Sequence, residues 1–194
     1  MDKVSYALGL SLGQNLASSG IKEIAFEDLV AGMKAIINKE QPAISFEEAQ
    51  NVLNDFFSEL EAKAAGAAKA EGEAFLAENA KREGVKVTAS GLQYEVLEAT
   101  IGQKPKATDK VKVHYEGTLI DGTVFDSSYG RGEAISFGLN QVIAGWTEAL
   151  QLMAEGSEWE LYIPYQLAYG ETGAHGSIPP CAALVFKVEL LEVL

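Results

Sequence analysis

Residues 111–126, VKVHYEGTLIDGTVFD, decide the fold of the second half of the chain. Apolar and polar residues alternate from Val111 to Tyr115, which is typical of a strand with one buried face. Asp121-Gly122 then predicts a tight turn, and extended sequence resumes over Thr123–Asp126. This stretch therefore predicts two antiparallel strands joined by a hairpin turn.

The elements around this hairpin follow an order that is typical of an α+β domain. Leu92–Ala99 predicts a strand before it, and Thr147–Met153 a short helix after it. Glu158–Pro164 predicts a further strand. A glycine-rich loop over residues 167–180 precedes the last strand, where apolar residues from Leu184 to Leu190 line one face. Strands, one helix and more strands predict an antiparallel sheet curved around a short helix.

Composition excludes several classes of function. The 194 residues are enough for two small domains, and the formal net charge of −13 argues against nucleic acid as a partner. The single cysteine, Cys181, cannot form an internal disulfide. His114 and His175 are the only histidines, and there is no dinucleotide or phosphate-binding fingerprint. We therefore expect neither a metal site nor a cofactor.

The sequence also bears on the cellular compartment. It has no run of about 18 apolar residues, the length that a membrane span needs. The residues after Met1 lack a basic segment followed by a long apolar run. These features predict a cytoplasmic protein without a membrane span. The alternative is a periplasmic protein, if a signal peptide precedes Met1 in the natural protein.

Three helices are predicted in the first part of the chain. The first runs over Asp2–Ser19 and the second over Phe26–Asn38. Ser45-Phe46-Glu47-Glu48 has the pattern of a capping box and begins a third helix, which we expect to end near Glu83. That helix, from about 46 to 83, would have about 38 residues and a length of about 57 Å. The predicted domains are a helical arm over residues 1–84 and a second domain over residues 85–194.

The long helix needs a partner for its first turns, where an apolar face includes Val52, Leu53 and Phe56. Two short helices offer little core, so a symmetric homodimer through the N-terminal helices is predicted. Ala62–Ala74 is alanine-rich and predicts a solvent-exposed rod; the alternative is a break at Gly66 or Gly72. Gly9 and Gly13 indicate either close contact with another backbone or a tolerated pair of glycines, and the sequence favours neither.

Five aromatic residues lie on different predicted elements of the second half. Taken one at a time, each is typical of a buried core residue. Their order and spacing instead indicate a common site. They are Tyr115, Phe125, Trp146, Tyr169 and Phe186.

Six short sequences occur in the order found in the FKBP-type peptidyl-prolyl cis-trans isomerases, which this chain resembles over about its last hundred residues. The preceding part is similar to the dimerising helical arm of the bacterial Mip-like and 22-kDa-class FKBPs. The matching sequences are residues 113–117 (VHYEG), 122–128 (GTVFDSS), 142–146 (VIAGW), 168–170 (AYG), 178–180 (IPP) and 184–190 (LVFKVEL).

The resemblance implies an activity and assigns a role to each site residue. Trp146 would be the floor under the proline ring, and the Ile178 amide and the Tyr169 hydroxyl would donate to substrate carbonyls. Asp126 would be a buried carboxylate held by Tyr115 and Arg131, whereas its pattern alone favours a turn cap before Ser127-Ser128. The walls would be Tyr115, Phe125, Val142, Ile143 and Phe186.

Two departures from the family pattern concern the cavity. Ile135 stands where the family often has a third aromatic wall, so that side should be less aromatic. His175 lies one position later than in the best-known members, and we do not expect it to be catalytic.

The resemblance also implies partners. These are partly folded proteins with X–Pro bonds and macrolide inhibitors such as tacrolimus and rapamycin, and client holding by the dimer arms would add a chaperone-like function. The alternative function is a dimeric chaperone or binding module whose isomerase pocket is vestigial.

Overall fold

The computed structural model describes residues 1–174 and 176–194, so His175 lies outside the described part of the chain. Two compact units make up the protein, residues 1–60 and residues 61–194. The expected domain boundary between residues 84 and 85 therefore falls within the second unit. No helix among the described residues is both long enough and apolar enough to cross a bilayer.

The first unit holds α1 (Lys3–Ser18), α2 (Phe26–Ile37) and the beginning of α3 (Phe46–Asn79). Asp2 caps α1 by accepting the Ser5 N–H at 2.8 Å. The Ser45 hydroxyl accepts the Glu48 N–H at 3.1 Å, which is half of the predicted capping box. None of residues 1–60 is buried within the single chain. The predicted helices are thus confirmed, but their apolar faces have no cover in one copy.

Helix α3 is continuous through Gly66 and Gly72, so the alternative of a break at either glycine is wrong. It ends at Asn79 rather than near Glu83, because the next turn tightens and the Arg82 N–H donates to the Asn79 carbonyl at 3.0 Å. Most residues of Ala62–Ala74 are exposed, as a solvent-exposed rod requires, but the prediction is wrong at Gly72. Gly72 is buried, and it lies on a stripe that faces the sheet of the second unit.

The second unit is built on one antiparallel sheet of seven strands in the order β1-β2-β6-β7-β3-β4, with β5 also paired to β3. This confirms the α+β class. The strands are β1 (Val85–Val87), β2 (Gln93–Glu98), β3 (Lys110–Leu119), β4 (Val124–Ser127), β5 (Ile135–Gly138), β6 (Glu158–Ile163) and β7 (Leu184–Val193). Two helices, α4 (Ser128–Arg131) and α5 (Ala144–Leu152), and two short 3-10 helices, Leu139–Gln141 and Tyr165–Leu167, complete the unit.

Strand β1 precedes Leu92–Ala99, which is the first strand that the sequence predicts in this part of the chain. Its position results from a turn in which the Thr88 N–H donates to the Leu92 carbonyl at 2.9 Å, with Gly91 at a φ of 89°. A left-handed backbone of this kind favours glycine. The turn folds β1 back onto β2.

Helix α5 covers the concave face of the sheet and forms the core with it. Trp146, Ala149 and Leu150 of α5 are buried, as are Leu161 and Ile163 of β6. The approach is close at Gly145, where a Cβ atom would lie 2.6 Å from the Ile163 side chain. This contact fixes the first turn of α5, and with it Trp146, against the sheet.

Candidate functional site

A cavity of about 390 Å³ opens beside the first turn of α5. Its volume is within the range of small-ligand sites. The structure brings together nine of the eleven predicted site residues in its lining and adds two that the sequence did not indicate. The lining residues are Tyr115, Phe125, Asp126, Ile135, Phe137, Gln141, Val142, Ile143, Trp146, Tyr169 and Phe186.

Trp146 lies at the centre of a group of aromatic rings. Its ring centroid is 5.1 Å from that of Tyr115, 5.2 Å from Phe186 and 5.4 Å from Phe137. The contacts to Tyr115 and Phe186 are edge-to-face, which aromatic pairs favour. The buried Nε1 atom of Trp146 has no hydrogen-bond partner in the part of the chain described. The surroundings of the indole are therefore strongly apolar.

Gly117 on β3 makes room for one wall of the cavity. The rings of Phe125 and Phe186 meet edge-to-face above it, with centroids 5.5 Å apart. A Cβ atom at residue 117 would lie 2.6 Å from either ring, well inside van der Waals contact. Only glycine allows both rings to reach their positions in the wall.

Asp126 is the one carboxylate among the lining residues, and two side chains bind it. The Tyr115 hydroxyl and the Arg131 guanidinium both donate to it. Arg131 also donates to the Tyr115 hydroxyl at 3.0 Å, although Arg131 itself lies outside the lining. The cap of α4 is Ser127, which accepts the Gly130 N–H, so a turn cap is not the role of the Asp126 side chain.

These contacts set the protonation states at the rim. Burial alone would raise the pKa of Asp126, but the hydrogen bonds from Tyr115 and Arg131 outweigh it and hold that pKa below its ordinary value. Burial and the bond to Asp126 raise the pKa of Tyr115. Burial, with a smaller contribution from the Asp126 charge, raises the pKa of Tyr169. Near neutral pH the carboxylate is thus ionised and both phenols are neutral.

Ile178 does not have the place that the resemblance implies. It is buried and absent from the lining, and its N–H donates to the Ala174 carbonyl at 3.0 Å. The predicted role of the Ile178 amide as a substrate donor is therefore wrong, because that amide already has an acceptor. The Ile143 N–H, on the residue that precedes α5, has no acceptor among the described residues. Tyr169 does line the cavity, with 41% of its surface exposed.

Phe137 and Gln141 are the lining residues that the sequence analysis missed. The alternation Ile135-Ser136-Phe137 in β5 carries a usable signal, because residues two apart in a strand point to the same face. Ile135 lines the cavity as expected, but Phe137 supplies an aromatic ring beside it, so this side is more aromatic than predicted. Gln141 ends a 3-10 helix, and no pattern in the sequence indicates it.

The polar groups of the cavity do not form a metal site. Within residues 1–174 and 176–194, no three His, Cys, Asp or Glu side chains lie close enough together to bind a metal ion. The cavity therefore offers apolar contact, a few hydrogen-bond donors and one ordered carboxylate. Such a lining can bind and orient a ligand and exclude water from it.

Comparison with known proteins relates both parts of the chain to one family. A family model described as FKBP-type peptidyl-prolyl cis-trans isomerase matches residues 102–191. A second, described as a domain amino terminal to FKBP-type peptidyl-prolyl isomerase, matches residues 1–96. The chain is also similar to the crystal structure of FkpA from Escherichia coli, with a TM-score of 0.78 and 40% identity over 98% of this chain and 95% of that one.

Two curated relatives cover nearly the whole chain. The FKBP-type 22 kDa peptidyl-prolyl cis-trans isomerase of Escherichia coli (strain K12) is 49% identical over 99% of this chain and 95% of its own length. The protein named outer membrane protein MIP of Legionella longbeachae is 44% identical over 99% of this chain and 85% of its own. That name gives no support to the predicted cytoplasmic location. The first relative and both family models name the same activity, and the chain belongs to the FKBP-type peptidyl-prolyl cis-trans isomerases.

Proposed function

We propose that the aromatic cavity around Trp146 is the site where this protein rotates X–Pro peptide bonds, without a covalent intermediate. The observation that carries the proposal is the packing of three aromatic rings around a buried Trp146 whose indole N–H has no partner among the described residues. A proline ring seated on this floor would be removed from water. Val142, Ile143, Phe125 and Phe186 are the proposed walls.

Rotation about an X–Pro bond needs no group transfer. The planar amide is polar and stabilised by resonance, whereas the twisted transition state has lost this resonance. Without a catalyst the step takes tens of seconds at 25 °C. An apolar cavity disfavours the polar planar form relative to the twisted one, so it lowers the barrier by differential binding. The predominantly aromatic lining supports this mechanism.

The proposed donors to the substrate backbone are the Ile143 amide and the Tyr169 hydroxyl. Ile143 lies in the lining with an N–H that has no acceptor in the described part of the chain, and Tyr169 lies there as a neutral phenol. A hydrogen bond to the carbonyl that precedes proline would hold one side of the bond still while the other side turns. Tyr115, Asp126 and Arg131 are proposed to keep the rim in one arrangement rather than to transfer a proton.

The first unit is proposed to form a two-fold homodimer. Its apolar residues are exposed in the single chain, including Met33, Val52, Leu53 and Phe56. Some of them line an open groove of about 710 Å³ between α2 and α3. A unit of 60 residues without one buried residue cannot offset the conformational entropy that it loses on folding. A second copy would bury the same face on both chains.

Client holding by the dimer arms is proposed as an added function, and a chaperone with a vestigial cavity is the second candidate. The observation that favours it is the set of exposed apolar side chains that lie outside the groove between α2 and α3, such as Tyr6, Leu8 and Phe26. Measuring the isomerisation rate of a proline-containing peptide, with and without rapamycin, separates the candidates. An isomerase with this cavity accelerates the peptide and loses the acceleration when the macrolide binds. A pure chaperone leaves the peptide rate unchanged.

The cellular compartment is a separate part of the proposal. The relative named outer membrane protein MIP supports the periplasmic alternative over the cytoplasmic one. The fold itself is compatible with either, because the single cysteine cannot form an internal disulfide in any compartment. Fractionation of cells that carry the intact gene, followed by detection of the protein in each fraction, decides between the two compartments.

A further inference from the structure

The second half of α3 lies against the outer face of the sheet, opposite α5. Its inward stripe contains Ala68, Gly72, Phe75, Leu76 and Asn79, in steps of three and four residues. Such steps place side chains on one face of a helix. The ring of Phe75 lies 6.1 Å from that of Tyr162, centroid to centroid. Tyr162 is 2% exposed although it points away from the core, because this helix covers it.

Polar contacts fix the end of α3 to the sheet. The buried Asn79 side chain donates to Gln93 at 2.9 Å, and Gln93 donates to the Leu76 carbonyl at 2.8 Å. Arg82 donates to the Tyr162 hydroxyl at 2.8 Å and to Glu95 at 2.9 Å. The Asn79–Gln93 pair is buried, so a shift of the helix would leave these two amides unsatisfied, and Arg82 adds contacts that are partly exposed.

The same helix touches both ends of the segment over residues 165–183, which carries Tyr169. The Lys69 ammonium lies 5.7 Å from the centre of the Tyr165 ring at one end. At the other end Gly72 is so close to Ala183 that a Cβ atom at residue 72 would lie 3.0 Å from the Ala183 Cβ and 3.4 Å from its backbone nitrogen. Only glycine allows this approach without a shift of the segment.

Two backbone hydrogen bonds lead from these contacts to Gly170, the residue after Tyr169. The Tyr165 carbonyl accepts the Gly170 N–H at 2.9 Å, and the Gly170 carbonyl accepts the Cys181 N–H at 3.0 Å. Cys181 has a φ of 57°, a left-handed conformation that costs free energy in a residue other than glycine. Cys181 is therefore strained, and α3 contacts the chain on either side of Tyr169, at Tyr165 and at Ala183.

We propose that residues 68–79 of α3 belong functionally to the isomerase unit, with Gly72 as a positioning residue. They hold residues 165–170 and 181–183 in place so that the Tyr169 hydroxyl points into the cavity. The inference rests on the donor role proposed above for Tyr169. It assigns a positioning role to residues on the face of the sheet opposite the cavity.

The test compares Gly72→Val with Gly66→Val in the full chain. Both changes place the same residue in the same helix, but a Cβ atom at Gly66 would meet no described atom within 4 Å beyond its own turn of the helix. The two variants should therefore change the intrinsic stability of the helix by about the same amount. We expect Gly72→Val to lower kcat/KM for a proline peptide by about fivefold or more, because small displacements of a positioned group are costly to catalysis. Gly66→Val should leave kcat/KM unchanged.

A rescue and a spectroscopic signal separate positioning from loss of stability. Gly72→Ala should weaken activity, and adding Ala183→Gly should restore it by making room for the new methyl group. The NMR resonances of the Tyr169 ring should shift in Gly72→Ala and return in the double variant. Unshifted Tyr169 resonances, or full activity in Gly72→Val, would overturn the inference.

A third variant, Trp146→Leu, shows whether a negative result concerns α3 or the cavity itself. If Trp146→Leu abolishes activity while Gly72→Val does not, the cavity assignment stands and the inference about α3 fails. If Trp146→Leu retains full activity, the cavity assignment fails, and the inference falls with it.

Discussion

The Tyr115 hydroxyl donates a hydrogen bond to the Asp126 carboxylate at the rim of the cavity. The two groups come from neighbouring antiparallel strands, β3 and β4, and Arg131 of α4 joins them. The pKa of the carboxyl is lowered and that of the phenol is raised, so the difference between the two pKa values is larger than in isolated side chains. Neither group changes its charge near neutral pH, which leaves the pair suited to ordering the site rather than to acid–base chemistry.

Replacing the carboxylate should therefore weaken activity without changing its dependence on pH. Asp126→Asn keeps the shape and an acceptor for Tyr115 but removes the charge that binds Arg131. Because charge-assisted hydrogen bonds contribute roughly 1.5–3 kcal/mol and Asp126 is partly exposed, we expect a loss of about three- to tenfold in kcat/KM. The measurement is peptide isomerisation between about pH 5.5 and 8.5.

Asp121→Asn is the matched control for this change. Its pKa is also lowered, by the backbone and side-chain bonds to Thr123, but it lies in the exposed hairpin turn, outside the cavity lining. It should keep the wild-type rate. A flat pH profile is expected for both variants and the wild type, and a bell-shaped wild-type profile would contradict the non-covalent mechanism.

The lowered pKa of Asp126 also predicts a change in acid stability. A carboxyl with a lower pKa in the folded state adds stability above its unfolded value of about 3.9, and this stability is lost as pH falls through the folded pKa. We expect urea unfolding midpoints of the wild type to decline below about pH 4, and less steeply in Asp126→Asn. Equal slopes for the two proteins would show that the contacts of Asp126 add nothing to the stability of the fold.

Removal of the cavity floor should abolish activity. Trp146→Leu deletes the ring on which the proposed proline site rests, so we expect most of the peptide isomerase activity and macrolide binding to be lost. Trp159→Leu is the matched control, because Trp159 is equally well buried but stacks on Tyr94, 4.4 Å away, outside the cavity lining. Isothermal titration with rapamycin, beside a peptide assay, measures both effects.

The two tryptophan variants should lose similar stability, since both remove part of a buried ring. They should differ in function, because only one of them touches the cavity. Equal activity in two folded variants would contradict the assignment of the floor.

The Ile143 amide can be tested by removing its hydrogen. Ile143 has a φ of −59° and follows Val142 in extended backbone, so proline fits both conformations. Ile143→Pro should lower kcat/KM by about tenfold or more, the effect of losing one donor aimed at the reacting group. Ile143→Val keeps the N–H with a smaller side chain and should stay within about twofold of the wild type. A similar loss in both variants would mean that the side chain matters and the amide does not.

The sheet and the central helix could be predicted because their periodic patterns are local, whereas most of the cavity was predicted from the resemblance to the FKBP family. Trp159, Leu161 and Ile163 alternate inward as expected. The sequence did not predict which amide is free, because the partner of an N–H depends on tertiary contacts. Ile178 and Ile143 are both apolar loop residues by sequence. In the structure the Ile178 N–H donates to the Ala174 carbonyl, whereas the Ile143 N–H has no acceptor among the described residues.

The second half of α3 is the other element that the sequence misjudged. Its alanines and glycines predict a solvent-exposed helix, because small side chains contribute little to the hydrophobic periodicity by which a buried helix face is recognised. The burial of Gly72 comes from close approach to Ala183, and that of Asn79 from a bond to Gln93. Neither Ala183 nor Gln93 is near in sequence, so no local pattern indicates the contact.

The last prediction concerns the apolar face of the first unit. Leu53→Asp and Phe56→Asp together place two charges on a face that the proposed dimer buries, so light scattering should give a dimer mass for the wild type and a monomer mass for the double variant. Ile101→Asp is the control: Ile101 is fully exposed in the second unit, and its replacement should leave the dimer intact.

The monomeric variant should keep the wild-type rate on a short proline peptide, because the cavity lies wholly within the second unit. It should lose roughly tenfold or more on a proline-limited refolding protein, where two linked sites raise the effective concentration of client. A fragment of residues 61–194, which retains α3 from Glu61 to Asn79, should behave like this variant on both substrates. A monomer mass for the wild type at micromolar concentration would refute the dimer. Equal losses on peptide and refolding protein would mean that the helical arm supports the cavity rather than capturing clients.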